Sequence, residues 1–291
     1  MGVWLNVIVS GLLMGSFYGL VALGLGIVFG VMSIANFAHG ALLTVAMFLV
    51  YGLVTLTGID PYLAIIPAAL VMYVLGKYLQ RWLISPVLRR EKDTAPLTLI
   101  LLTAGLGWAL SNGMLFLFSA NYRTVDTAYS GQSLFIGDIS IPVPRLIGLV
   151  VATIIVGGLQ WFLTSTDLGR ALRATSQDRE AARLMGIDDF KIYEFAFGLG
   201  TALVGVTACL LVPFYFVHPT VGDFFAILAL ITVVLGGLGS ILGTFLGGLF
   251  VGLVEAVGAH LFSLYIGRVL VFALFVAVLL WRPSGLFGRR L

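Results

Sequence analysis

Continuous apolar runs, each long enough to cross a lipid bilayer, recur along this whole chain, and nothing else limits its fold so severely. A spanning helix needs about 20 apolar residues. Such runs lie at residues 3–31, 37–57, 62–82, 97–119, 146–164, 193–214, 241–262 and 266–281. A shorter one at 224–235 fits a tilted half-helix or a re-entrant segment. In hydrocarbon only helices and closed barrels satisfy every backbone group. Barrel strands alternate apolar and polar residues, whereas these runs are unbroken. The expected fold is an all-α polytopic membrane protein with eight or nine transmembrane segments, some broken or short. Residues 1–291 would form a single transmembrane domain. The 10% of charged residues agrees, since soluble domains carry about 25%.

Basic residues orient such a chain, because they collect on the cytoplasmic side. Lys77, Arg81, Arg89, Arg90 and Lys92 lie in the loop 76–96, which begins in the last turns of the third run. Arg170, Arg173, Arg179, Arg183 and Lys191 lie in the loop at about 164–192, and Arg282, Arg289 and Arg290 close the chain. Only Arg123, Arg145 and Arg268 remain for the other side. The central loop and the C-terminus are therefore predicted to be cytoplasmic. With nine spans the N-terminus is outside, and the loop 120–144 is external. No basic residue precedes Lys77, so the first run reads as a retained helix and not as a cleaved signal. The net charge of +3 follows this topology and does not indicate nucleic-acid binding.

The most charged stretch is GRALRATSQDREAARLMGIDDFKIY, residues 169–193. Its centre reads as a polar helix of about two turns. Thr175 and Asp178 have capping-box spacing. Asp178 and Glu180 at its start and Arg183 at its end suit the helix dipole. Gly186 fits the left-handed residue that closes a helix. From the residues alone, an ordinary cytoplasmic loop remains open.

Glycines at four-residue spacing, Gly11, Gly15 and Gly19 and again Gly239, Gly243 and Gly247, let helix backbones approach closely in lipid. Packing within the chain is the favoured use, ahead of a dimer contact. Two segments break the apolar pattern. SIANFAHG (33–40) holds Asn36, His39 and Gly40. It reads as a turn between spans at the cytoplasmic surface, or else as a broken helix lining a cavity. LGGLGSILG (235–243) holds Gly236, Gly237 and Ser240, without the strand or the lysine a nucleotide loop requires. Glu255 lies inside an apolar run, where a carboxylate faces a cavity, finds a partner or reaches the interface. Phe214, Tyr215 and Phe216 look like an interfacial aromatic belt. Cys209 is the only cysteine, so there is no disulfide and no CxxC motif. No metal site, nucleophile–base pair or cofactor motif emerges.

Together these segments resemble the LivH-type permease subunits of bacterial branched-chain amino acid ABC importers. MSIANFAHGALL (32–43) resembles the family's NFAHG signature, and VVLGGLGSILGTFLGG (233–248) its VLGGxGSxxG segment. RPSGLFGR (282–289) is similar to its closing motif. Glu180, Ala181 and Ala182 followed by Gly186 match the EAA…G pattern of ABC permeases. The resemblance implies an inner-membrane importer working by alternating access, with no covalent chemistry and no cofactor in this chain. Its partners would be a second, LivM-type permease, two ATPases carrying ATP and magnesium, and a periplasmic substrate-binding protein. It further implies that Gln177, Asp178, Arg179, Glu180, Ala181, Ala182, Arg183, Leu184, Met185 and Gly186 form the helix that couples to an ATPase. Ala181, Ala182, Leu184 and Met185 would enter the ATPase groove, with Arg179 and Arg183 pairing at its rim. Asn36, His39, Gly40, Gly236, Gly237, Ser240 and Glu255 become candidates for the pathway or its gates. Members commonly carry a lysine before VLGG where this chain has Leu228, so the substrate range extends from branched-chain and other hydrophobic amino acids to urea, amides and aromatic acids. The rival expectation is a self-sufficient secondary transporter or channel, with Glu255 as its coupling carboxylate.

Overall fold

The computed structural model describes residues 2–90, 95–282 and 284–287, and the backbone alone of residues 95 and 96. Lys92, Arg289 and Arg290, with Pro283 and Gly288 of the closing motif, lie outside the described residues. The chain is an all-α polytopic membrane protein. Helix α1 (Gly2–Met32) is followed by a break and by α2 (His39–Thr57). Helix α3 (Ile65–Leu79) runs on through a π turn (Gln80–Ile84) into α4 (Ser85–Arg90). Next come α5 (Ala95–Phe118), the strands β1 (Ser133–Ile136) and β2 (Ile139–Pro142), and α6 (Val143–Ser165). The polar centre forms α7 (Asp167–Gln177) and α8 (Arg179–Leu184). The chain finishes with α9 (Asp189–Leu211), α10 (Val221–Gly236), α11 (Ile241–Leu261) and α12 (Leu264–Trp281).

Among the described residues, 7 helices are long and apolar enough to cross a membrane: α1, α2, α5, α6, α9, α11 and α12. Helix α10 has only 16 residues, and α3 reaches its length by continuing through the π turn. Helix α1 is apolar all round and is buried from Phe17 to Val28 without interruption. An all-apolar surface belongs at the centre of a bundle. There α1 packs on α11, α9, α10 and α6. Its glycine run meets that of α11. A Cβ added at Gly15 would stand 2.6 Å from the Gly248 carbonyl oxygen, and one added at Gly252 would overlap the backbone at Gly11 and Gly15. The four-residue glycine spacing thus serves contact within the chain. A second close seam joins α3 to α9, where a Cβ at Gly205 would stand 3.0 Å from the Ala68 carbonyl oxygen.

The bundle has two chemically different ends. At one lies the two-stranded antiparallel hairpin β1–β2, formed within the segment 120–144 expected to be a loop. Asn6 ties it to α1 by donating to the Asp138 carbonyl (2.8 Å) and accepting from the Ser140 N–H (2.8 Å). Tyr129 donates to the Asp60 carboxylate at 2.8 Å, and partial burial with that bond raises its phenol above the usual range. Arg145 opens α6 and Arg268 opens α12 at this end, and Arg123 pairs with Val217 in an isolated bridge there. At the other end lie α7, α8 and the closing segment, whose Leu286 N–H donates to the Leu235 carbonyl at 2.8 Å. Arg81 and Arg89 also sit there, Arg81 beside Glu194 (3.9 Å) and Arg89 over Phe190 (4.4 Å). The aromatic belt expected at 214–216 is largely absent. Phe214 packs edge-on to Phe17 and Tyr215 to Phe225, which leaves only Phe216 exposed.

Candidate functional site

The polar centre holds two helices where the sequence suggested one. Thr166 caps α7 by accepting from the Gly169 N–H (3.0 Å). Leu172 and Thr175 are buried on its inner face, while Arg170, Arg173 and Ser176 face outward. The expected capping box is not formed. Thr175 donates to the Ala171 carbonyl one turn back inside α7. Asp178 is itself the cap of α8, and its Oδ1 accepts from the Glu180 and Ala181 N–H groups at 2.9 Å. Gln177 is the last residue of α7, so the stretch expected to form one helix from Gln177 is divided, and only the six residues Arg179–Leu184 form α8. Gly186 has φ +83°. Its N–H donates to the Arg183 carbonyl and that of Ile187 to the Ala182 carbonyl (2.9 and 3.1 Å). That is the paired closure of a Schellman motif, and it needs the left-handed residue.

Both arginines of α8 reach the start of α9 while their side chains stay 36% and 47% exposed. Arg179 Nε and an Arg183 terminal nitrogen donate to one oxygen of Asp189, at 2.6 and 2.7 Å. The Asp189 side chain is 5% exposed, so α8 is clamped to the start of α9. The bond to Asp189 pushes the Arg183 guanidinium above its ordinary range and keeps it charged. Ala182 is buried as well. Leu184 and Met185 remain in the open, 89% and 82% exposed, with Ala181 beside them.

The segment after α1 is no surface turn. Ser33 takes a left-handed φ of +56° and the chain doubles back along α1. Asn36 Oδ1 then accepts from the Ala38 N–H (3.0 Å) and its carbonyl from the His39 N–H (3.2 Å), which starts α2. The buried His39 ring contacts Gly24, and its Nε2 lies 2.9 Å from the Val21 carbonyl. A carbonyl only accepts, so Nε2 carries the proton and Nδ1 is an acceptor. Val21 stands about 16 Å back from the end of α1 at 1.5 Å per residue, deep in the bundle. Nδ1 of His39 and Nδ2 of Asn36 are buried there with no partner among the described residues. Helix α10 begins beside them. Gly40 and Gly222 touch backbone to backbone, and the Gly222 N–H donates to Thr44 Oγ1 (3.0 Å).

The second break lies at the far end of α10. Gly237 and Gly239 take left-handed φ values of +89° and +82°, and Ser240 caps α11 by accepting from the Gly243 N–H (3.1 Å). A cavity of about 500 Å³ beside it is lined by Phe29, Ser33, Arg173, Ser176, Gly239 and Ser240. The second break therefore adjoins α7. One short helix links the two breaks, with Asn36, His39 and Gly40 at its start and Gly236, Gly237 and Ser240 at its finish.

Glu255 belongs to neither. It faces the hairpin end, where Tyr18 donates to its Oε2 at 2.6 Å and Arg268 Nε lies 3.5 Å from Oε1. These groups line a cavity of about 460 Å³ with Arg145, Tyr215 and Phe224. Sequence reading did not join Tyr18, Arg145 and Arg268 to this site. The available signal was that two of the three basic residues assigned to the outer side sit at the ends of apolar runs.

Residues 7–279 match the family model described as "Branched-chain amino acid transport system / permease component". The chain belongs to this family. Among relatives of this branched-chain transport permease is the high-affinity branched-chain amino acid transport system permease protein BraD of Pseudomonas aeruginosa. It is 32% identical over 98% of this chain and 96% of its own length. The corresponding LivH protein of Salmonella typhimurium is 29% identical over 96% of this chain and 94% of its own. The solved structure titled "PsaBC from Streptococcus pneumoniae in complex with Fab" aligns at a TM-score of 0.49 and 15% identity, covering 93% of this chain and 90% of that one. As a family member the chain is a LivH-type transporter permease and not an enzyme.

Proposed function

We propose that this permease is the membrane subunit of an ABC importer for branched-chain and related hydrophobic amino acids, driven by alternating access. The coupling helix carries the reading. A six-residue helix capped at both ends and clamped to α9 is rigid enough to pass a push into the bundle, and its exposed Leu184 and Met185 offer an apolar anchor to another protein. A solvated loop has no use for this order. The partners would be a second permease of LivM type, two ATPases that hold ATP and magnesium, and a binding protein that delivers substrate. This chain would hold no cofactor of its own. Movement of α8 reaches α9 through the Asp189 clamp, and α7 adjoins the second break. Asn36, His39, Gly40, Gly236, Gly237 and Ser240 are then gating positions along α10. Purification tests the reading. ATPases should co-purify, and reconstituted vesicles should take up substrate only with ATP and binding protein. Uptake by the permease alone under an ion gradient would overturn it in favour of a secondary transporter.

The same reading places the hairpin end and the N-terminus outside the inner membrane and the coupling end in the cytoplasm. Ala128 and Ser176 are both exposed, at opposite ends of the bundle, and Cys209 is buried. In a Cys209→Ala background, Ala128→Cys is expected to react with an impermeant maleimide on intact cells. Ser176→Cys should react only after lysis. Labelling of both from one side would refute the orientation.

A further inference from the structure

The cavity at the hairpin end has a charge pattern that the importer reading does not use. Its wall holds two cations and one anion, Arg145, Arg268 and Glu255, with aromatic surface from Tyr18, Tyr215 and Phe224. Tyr18 satisfies one oxygen of Glu255 at 2.6 Å. The other stands 3.5 Å from Arg268 Nε, well beyond the roughly 2.7–2.9 Å of a closed charge-assisted bond. Arg268 meanwhile lies over the Phe224 ring at 4.3 Å. Arg145 is half-buried over Phe214 (5.3 Å) and has no ion pair among the described residues. A desolvated guanidinium without an anion, beside a carboxylate whose second oxygen is loosely held, is incomplete on both signs.

We infer that this cavity binds a zwitterion, with the carboxylate of an α-amino acid on Arg145 and its ammonium on Glu255 Oε1. The planar guanidinium suits a carboxylate, which it takes through two parallel N–H bonds. The ammonium completes the coordination of Glu255 that Arg268 only approaches. An apolar side chain then lies against Phe224 and Tyr215. Urea and simple amides carry neither charge, and a carboxylic acid without an amine leaves Glu255 Oε1 with only the long Arg268 contact. The permease therefore reads the α-amino acid head group itself, in addition to any selection by a binding protein. The inference rests on the importer reading for its substrate class, and it excludes the urea, amides and simple aromatic acids that the family resemblance left open.

The test is equilibrium binding of labelled L-leucine to the purified importer complex in nanodiscs, without binding protein, competed by leucinamide and by 4-methylpentanoate. On the wild type each analogue should compete at least ~10-fold more weakly than leucine, because a site built around a polar group rejects an analogue lacking it. Arg145→Gln should weaken leucine to the level of leucinamide, and Arg145→Lys should recover part of the loss. Glu255→Gln should erase the difference between leucine and 4-methylpentanoate. No leucine binding, equal competition by the analogues on the wild type, or an Arg145→Gln complex that binds leucine within ~2-fold of wild type would each overturn the site. The analogue comparison needs no variant, so it stands even where a substitution impairs folding. Failure of the ATPases to co-purify would instead strike the importer reading, and the same competition on the permease alone would still judge the site.

Discussion

Leu184→Asp is expected to abolish ATP-driven uptake and substrate-stimulated ATP hydrolysis while the permease itself folds and inserts normally. Leu184 is 89% exposed, so its replacement removes no packing within the chain. In a docked complex it would be a central apolar anchor, and losing such an anchor costs about 2 kcal/mol or more. A carboxylate in the same groove adds the penalty of a buried unpaired charge. The ATPases should therefore leave the complex during purification. Ala182→Asp should fail differently. Ala182 is 3% exposed and its carbonyl accepts the bond that closes the Schellman motif, so an acid there disrupts the coupling helix before any partner arrives. The permease should then show fresh protease sensitivity between α7 and α9, which Leu184→Asp should not. Normal stimulation of ATP hydrolysis in the Leu184→Asp complex would remove the mechanical centre of the proposed function.

The second large effect is expected at the crossing of α2 and α10. A Cβ at Gly222 would overlap the Gly40 carbonyl and stand 2.6 Å from Thr44 Oγ1, and a Cβ at Gly40 would stand 2.6 Å from the Ala226 methyl. The obstructing atoms are mainly backbone, so a helix must move as a body to relieve them. Forced overpacking of this kind costs about 1–3 kcal/mol, occasionally more. Gly222→Ala should lower the melting temperature in detergent by roughly 5–10 °C and impair uptake in whatever protein survives. Gly52→Ala, on the partner helix α2, is its control, because among the described residues nothing lies within 4 Å of the added carbon. It should melt within about 2 °C of wild type or slightly above, since alanine favours helix over glycine. A wild-type melting temperature and full uptake for Gly222→Ala would show that the two helices are not locked where they cross.

What this sequence determined by itself are the features written locally along the chain. Hydrophobicity summed over about 20 residues marks the long helices to within a few residues, as at α2 and α11. Glycine at four-residue spacing announced close packing within the chain, but not which helices would meet: Gly248 and Gly252 face α1, whereas Gly243 and Gly247 face Gly236 of α10. Gly186 announced the end of α8, because a left-handed residue is a local requirement. The division of basic residues between the two ends was also readable, since insertion acts on each loop in turn. Tertiary structure alone decided the features that depend on which segments meet. The sequence could not say whether 33–40 turns at the surface or deep inside, because α1 has 31 residues and its length exceeds a bilayer core. Only packing against Val21 and Gly222 sets the depth of His39. That Arg179 and Arg183 share one carboxylate was decided only when the start of α9 brought Asp189 beside them. Glu255 meets Tyr18 across 237 residues of chain. Such a pairing has no periodic signal, because distant polar groups in a membrane bundle are joined by whichever helix faces pack together.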